Sequence, residues 1–393
     1  MPMTTAPAGP VVVPFSGIVP SSVVDPHIGA HGAALLALED GTVFPGVAFG
    51  APVAAGGDLV ANTSQTGYQE ICTDPSYAGQ VVVMTYPLIG NHGRLADDDQ
   101  SERPWLRALV VAHGTAAAHR SARQLVDLLR ATSIPAIAGI DTRAVARHLR
   151  EQGAQRAMVT APGELDADAA VAAARALPRW EDQDFVAQVS PPDAHDLGDG
   201  LGPLIGVIDF GLKAGIVRAL LRRGARVRVL PHSTAPRAAL DPRIDGVVLS
   251  PGPGDPARLD AAVALTRTVI AAGRPLLGIC LGHQIVGLAA GATTRRLRYG
   301  HHGANHPVQD LDSGEVRITA QNHEVEVVAE TLPDTGFYVS QRDLNDESVE
   351  GLRHRTLPIE TVQYHPEGSP GPLDALTVFD RFLDRVRAAR SRA

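Results

Sequence analysis

The chain is almost without lysine. Of its 35 basic residues only Lys213 is a lysine, and arginine carries the remaining positive charge. The bias reads as compositional, without functional content. The formal net charge of −8 leaves no basic field for a polyanion or an anionic lipid surface, so nucleic acid and membrane are both excluded as partners. Cysteine is nearly as scarce. Cys72 and Cys280 cannot build a disulfide framework, which points to a reducing compartment and a cytoplasmic location. Aromatic residues make up 4%, so the interior must rely on alanine, valine and leucine. No apolar run approaches the length of a membrane span. The N-terminal stretch is rich in Pro, Gly, Ala and Val, but it lacks the basic segment and sustained apolar core of an export signal.

What is present fits a packed globular chain. Hydrophobic content of 44% against 20% charged residues argues against disorder, and 393 residues suggest two or three domains. Residues 1–32 read as a flexible extension. From Ala33 to Gly50 the pattern alternates around Glu39-Asp40-Gly41, as a β-hairpin does. A mixed α/β domain is expected over 33–187, with helices near Ala122–Leu129 and Thr142–Gln152. Residues 188–203 are rich in Pro, Asp and Gly and read as a linker. Beyond it, short apolar strands alternate with helices: strand Leu204–Ile208, helix Ala214–Arg223, strands Arg226–Leu230 and Gly246–Leu249, helix Leu259–Ala272, strand Pro275–Ile279. That alternation predicts a mainly parallel sheet flanked by helices over 204–393, with ligands at the carboxyl ends of the strands.

One such end carries Gly278-Ile279-Cys280-Leu281-Gly282-His283-Gln284 between a strand and a helix. It reads as a nucleophile elbow built on cysteine, with small residues flanking a strained position. A thiol at a helix N-terminus is expected to have a lowered pKa. A buried core cysteine is the ordinary fate of such a residue, but a second motif argues otherwise. Tyr364-His365-Pro366-Glu367 ends the strand-like Ile359–Tyr364, and a histidine followed by a carboxylate suits a base and its orienter. Cys280, His365 and Glu367 therefore read as a catalytic triad. The turn Gly252-Pro253-Gly254 lacks the lysine and spacing of a phosphate loop. His301, His302 and His306 carry no metal signature with Cys or carboxylate spacing, so no metal is expected and they read as a hydrogen-bonded loop. Cys72 reads as core filling.

These residues resemble the class I, triad-type glutamine amidotransferase domain. More narrowly, the chain from about Ala34 onward resembles the small subunit of carbamoyl-phosphate synthetase. The first domain carries the motifs Asn62-Thr63-Ser64-Gln65-Thr66-Gly67-Tyr68-Gln69-Glu70, Thr73-Asp74-Pro75-Ser76-Tyr77, Tyr86-Pro87-Leu88-Ile89-Gly90-Asn91 and Gly139-Ile140-Asp141-Thr142-Arg143. The second carries Asp209-Phe210-Gly211, Leu249-Ser250-Pro251-Gly252-Pro253-Gly254, Gly300-His301-His302-Gly303-Ala304-Asn305-His306 and the His365-Pro366-Glu367 run.

The resemblance implies a glutaminase that passes ammonia to a separate large subunit, which would hold ATP and magnesium and make carbamoyl phosphate from bicarbonate for arginine and pyrimidine synthesis. No cofactor is implied on this chain. L-Glutamine would be held by Ser64, Gly252, Gly254, Leu281, Gln284, Asn322, Glu324 and Val325, with Ser64 reaching in from the first domain. Backbone N–H groups of Leu281 and Gly252 would meet the oxyanion. Two departures stand out. After Gln321-Asn322-His323 the family has glycine and an aromatic where this chain has Glu324-Val325, and a carboxylate there is expected to repel the substrate α-carboxylate. Ala112–Arg120 also departs, at a segment expected to affect docking to the large subunit. The alternative is a docking paralogue with weak or no glutaminase activity. Another amidotransferase, of the anthranilate or guanylate type, is opposed by the first-domain motifs.

Overall fold

The computed structural model describes residues 10–13, 23–116 and 123–391. Most of the expected N-terminal extension and residues Ala117–Arg120 of the departing segment lie outside them. Among the described residues no helix is long and apolar enough to cross a membrane. The chain divides into two compact units. The first comprises residues 1–72, 79–98 and 103–180, and the second residues 73–78, 99–102 and 181–393. Two short pieces from the first half of the sequence, one of them containing Asp74, thus belong to the second unit. The division falls after Trp180, ahead of the expected linker. Within that linker His195–Leu197 forms an edge strand of the second unit.

The first unit contains strands β1 (Val11–Val12), β2 (Gly32–Leu38), β3 (Thr42–Gly50), β4 (Ala55–Asn62), β5 (Gln80–Met84), β6 (Ala108–Val110), β7 (Pro135–Ala138) and β8 (Gln155–Val159). β2 and β3 form the expected hairpin, with Gly41 at φ 106°, a conformation glycine adopts without a steric cost. The strand order is β1-β3-β2-β8-β4-β5-β6-β7, and β7 pairs back onto β3, so the ladder closes and leaves few open edges. Ala34, Leu36, Leu38, Val81, Val83 and Val110 fill its interior.

The second unit is a ten-stranded sheet. Its strands are β9 (His195–Leu197), β10 (Leu204–Asp209), β11 (Arg226–Pro231), β12 (Gly246–Leu249), β13 (Leu276–Ile279), β14 (Thr294–Asp310), β15 (Val316–Val327), β16 (Phe337–Asp343), β17 (Val349–His354) and β18 (Ile359–Val362). β11, β10, β12, β13 and β18 run parallel side by side. Their apolar residues alternate between two cores. Ile205, Val207, Val248 and Leu277 pack with Ile216 and Leu220 of helix α1 (Ala214–Arg222) and with Phe379, Phe382 and Leu383 of the C-terminal helix Thr377–Arg390. Ile208, Val247, Leu249 and Leu276 pack with α2 (Asp260–Ala271) and α3 (Leu281–Ala290) on the other face. Both faces being covered is what a parallel sheet requires. The C-terminal helix, α4 (Thr377–Arg390), is tied to β18 through the buried Glu360, which accepts from Arg381 at 2.6 Å and Arg385 at 2.9 Å. Beyond β18 the sheet continues antiparallel through β17, β16, β14 and β15. That extension is not visible in the strand and helix alternation of the sequence.

Candidate active site

Parallel strands place their carboxyl ends together, and β13 pairs with β18 in the register Ile279↔Val362. Cys280 follows β13 directly, its backbone N–H donating to Val362 O at 2.9 Å, and His365 follows β18 shortly after. The turn from β13 into α3 holds Cys280 at φ 52°, ψ −107°. For a residue with a side chain this backbone costs about 1–3 kcal/mol, a strain that surrounding structure must impose. The flanking glycines explain how. A Cβ on Gly282 would lie 2.3 Å from Leu249 O, and one on Gly278 would lie 2.7 Å from Gly282 O. Only glycine lets the elbow close this tightly.

His365 Nδ1 lies 2.9 Å from Glu367 Oε1, so its N–H donates to the carboxylate and Nε2 carries the lone pair. That Nε2 is buried with no hydrogen-bond partner. Glu367 also meets Lys213 Nζ at 2.8 Å, and Lys213 lies 3.7 Å from Asp74 Oδ2. Both Lys213 and Glu367 are buried. Burial alone would raise the Glu367 carboxyl; the charge of Lys213 and the hydrogen bonds from His365 and Lys213 reverse this and hold it down at about 2. For Lys213, burial works against the ammonium, and Glu367 and Asp74 outweigh it and raise the pKa. Lys213 sits immediately before α1, and Asp74 caps the short 3-10 turn Pro75–Tyr77 by accepting from Ser76 N at 2.8 Å. The only signal for Lys213 in the sequence is that no other lysine exists, and Asp74 stands out only as part of a first-domain motif.

The thiol differs from the expectation of a lowered pKa. Burial, and next the charge of Asp74, push Cys280 up, and the hydrogen bond from Leu281 N–H only partly offsets them. Its Sγ donates to Asn322 O at 3.6 Å. Two nearby carboxylates and loss of solvent outweigh the helix terminus, so the resting group is a thiol.

Known proteins agree with this architecture in both halves. A family model described as glutamine amidotransferase class-I matches residues 206–385, and one described as carbamoyl-phosphate synthase small chain, CPSase domain, matches residues 36–159. The carbamoyl phosphate synthase small chain of Symbiobacterium thermophilum is 46% identical, covering 89% of this chain and 97% of its own. Those of Bacillus caldolyticus and Aquifex aeolicus are 45% and 44% identical, covering 90% and 89% of this chain and 96% and 98% of their own. The chain belongs to the carbamoyl phosphate synthase small-chain family.

Within this family member, the remaining candidate residues fall as follows. Leu281 opens α3 beside the thiol, and a Cβ on Gly252 would lie 2.1 Å from Phe210 O and 3.0 Å from Leu281 Cδ2, so the glycine turn packs directly against the elbow. Gly254 adopts φ 96°. Gln284 Nε2 donates to Val325 O at 2.7 Å and to Gln363 Oε1 at 3.1 Å. Asn322 Nδ2 donates to Asp74 Oδ2 at 3.4 Å, and Asn322 Oδ1 lies 3.0 Å from His302 Nδ1. Ser64 belongs to the first unit, where it is buried and its N–H donates to Asn62 Oδ1 at 2.8 Å. Glu324 lies within β15 without positive φ, so no glycine is required there. Its carboxylate meets His302 Nε2 at 3.0 Å and Arg296 Nη2 at 3.3 Å. Burial opposes its charge, but those two partners hold the pKa below the usual carboxylate range. The carboxylate expected to repel the substrate is thus engaged by His302 and Arg296. His302 is taken up by this pairing, but His301, His302 and His306 lie within strand β14 and not in the expected loop. Cys72 is fully buried.

Proposed function

We propose that the chain is the glutaminase subunit of a cytoplasmic carbamoyl phosphate synthase, hydrolysing L-glutamine through Cys280, His365 and Glu367. The observation that carries the reading is the strained Cys280 at the end of β13 beside the His365–Glu367 pair at the end of β18. Nε2 of His365, held as an acceptor by the Nδ1–H bond to Glu367, takes the thiol proton. Sγ attacks the side-chain amide carbon of glutamine. The oxygen becomes negative and is met by the N–H groups of Leu281 and Gly252, each such donor worth about 3 kcal/mol of barrier. His365 returns the proton to the leaving nitrogen as the tetrahedral adduct collapses, releasing ammonia. Water then attacks the thioester and frees glutamate.

Gly254, Gln284, Asn322, Glu324, Val325 and Ser64 are assigned to holding the substrate. Ammonia is delivered to a large subunit, which holds ATP and magnesium, converts bicarbonate to carbamoyl phosphate and serves arginine and pyrimidine synthesis; this chain needs no cofactor for its own step. A docking paralogue with little turnover would require Glu324 to close the pocket, and its engagement with His302 and Arg296 weighs against that. The test is glutamine hydrolysis by the purified chain, alone and with its cognate large subunit. Cys280→Ala is expected to lower turnover by at least about a thousandfold. Undiminished hydrolysis in that variant rejects the triad, and no turnover by the wild-type mixture rejects the glutaminase.

A further inference from the structure

Behind the strand that presents Asn322, three buried donor atoms face one another without partners. They are His301 Nδ1 on β14, His323 Nε2 on β15 and Glu350 Oε1 on β17. Each residue is at least nine-tenths buried. Glu350 Oε1 lies 3.9 Å from His301 Nδ1 and 3.9 Å from His323 Nε2, and all three atoms lie within 4.8 Å of one another.

The opposite side of each residue is already committed. His301 Nε2 lies 2.8 Å from Asp346 Oδ2, His323 Nδ1 lies 3.0 Å from Val325 O, and Glu350 Oε2 accepts from Gln321 Nε2 at 2.7 Å. A carbonyl and a carboxylate only accept, so the ring nitrogens facing them carry the protons and the inward nitrogens carry lone pairs. Two imidazole lone pairs and a carboxyl oxygen thus converge on one buried point. A water molecule, with two hydrogens, meets all three only when one of them carries an extra proton. A cation satisfies all three at once.

We propose that His301, His323 and Glu350 form a binding site for a divalent transition metal of the zinc class, which ties β14, β15 and β17 together. Two imidazoles and one carboxylate match the ligand preference of that class, and bonds of about 2.0–2.2 Å require the donors to close in by only a fraction of an ångström to about 1 Å. Outer hydrogen bonds from ligating histidines to a carboxylate and a backbone carbonyl are the usual support of such sites. The neighbouring set of His301, His306 and Asp343 is a poorer candidate, since His306 Nδ1 is already 3.0 Å from Asp343 Oδ2. His301 and Asp346 also line a cavity of about 330 Å³. The sequence reading expects no metal because the three ligands are scattered along the chain, and only the strand pairing brings them together.

The test uses the full chain stripped with a chelator, then titrated with Zn²⁺ by calorimetry and with Co²⁺ by visible absorption. One equivalent is expected, with a tetrahedral or five-coordinate Co²⁺ spectrum. Glu350→Gln and His301→Gln should each abolish that stoichiometric binding, while Asp346→Asn should weaken it about 10- to 100-fold. Circular dichroism of each variant guards against misfolding. Failure of the wild type to bind, or binding kept undiminished in both ligand variants, overturns the proposal.

Discussion

At the residue scale the site rests on a buried ionic chain, Asp74–Lys213–Glu367–His365. Removing one member of such a chain leaves its partner charged and unsatisfied, typically a loss of about 3–5 kcal/mol. Lys213→Met should therefore lower the unfolding free energy by about that amount in urea titrations. Turnover should fall as well, because Glu367 loses the cation that fixes it. An unchanged midpoint would mean that Lys213 is not part of the support. Asp209, at the end of β10, gives a pH signature. Burial raises its carboxyl to about 6, although it accepts from Gly211 N and Leu212 N at 2.8 Å. A raised acid binds its proton more tightly when folded, so the native state gains stability as pH falls from about 7 toward the unfolded value of about 3.9. Asp209→Asn keeps an acceptor without the charge. Its melting temperature should exceed that of the wild type at pH 7, and the gap should narrow by pH 4.5; a constant gap would refute the buried-charge account.

At the scale of elements, the elbow depends on glycine as much as on cysteine. Gly282→Ala places a carbon 2.3 Å from Leu249 O, so β12 and α3 must separate. Displacement of this size should cut turnover about 100-fold and stability by about 1–3 kcal/mol. Near-normal turnover in steady-state assays would show that the elbow tolerates a wider turn. On β15, Glu324→Gly installs the glycine that the resemblance implies here but deletes a carboxylate bonded to His302 and Arg296. It is expected to lower the melting temperature rather than raise glutamine affinity, read by thermal denaturation and KM together. The elbow was legible in the sequence because strand, glycines and helix are contiguous. The antiparallel strands β14 to β17 were not. β14 pairs with β15 through register shifts between Arg296 and His301 and between Gly303 and His306, and such irregularity erases the alternation that marks a strand.

For the whole molecule, the parallel strands and their helices could be read almost to the residue, since each is a short apolar run. Membership of the pieces could not. Residues 73–78 and 99–102 carry no compositional mark, yet they belong with the second unit, where Asp74 meets Lys213 and Gln100 accepts from Gly215 N at 3.1 Å and offers its carbonyl to Ala214 N at 2.8 Å. Contacts of that kind depend on tertiary structure alone. A chain cut to residues 181–393 would match the amidotransferase family model and lack both. It should melt several degrees below the same unit in the full chain, since losing even about 1 kcal/mol shifts a domain of this size by about 2–4 °C. Equal melting in calorimetry would show that the two pieces are dispensable.

The solitary lysine also turns this protein into its own unfolding gauge. A protease that cuts only after lysine has a single target in all 393 residues, and that target is 2% exposed at the start of α1. The folded chain should resist it, and each opening that frees Lys213 should yield the same two fragments. When reclosing is faster than cutting, the cleavage rate measures the free energy of opening at that one point.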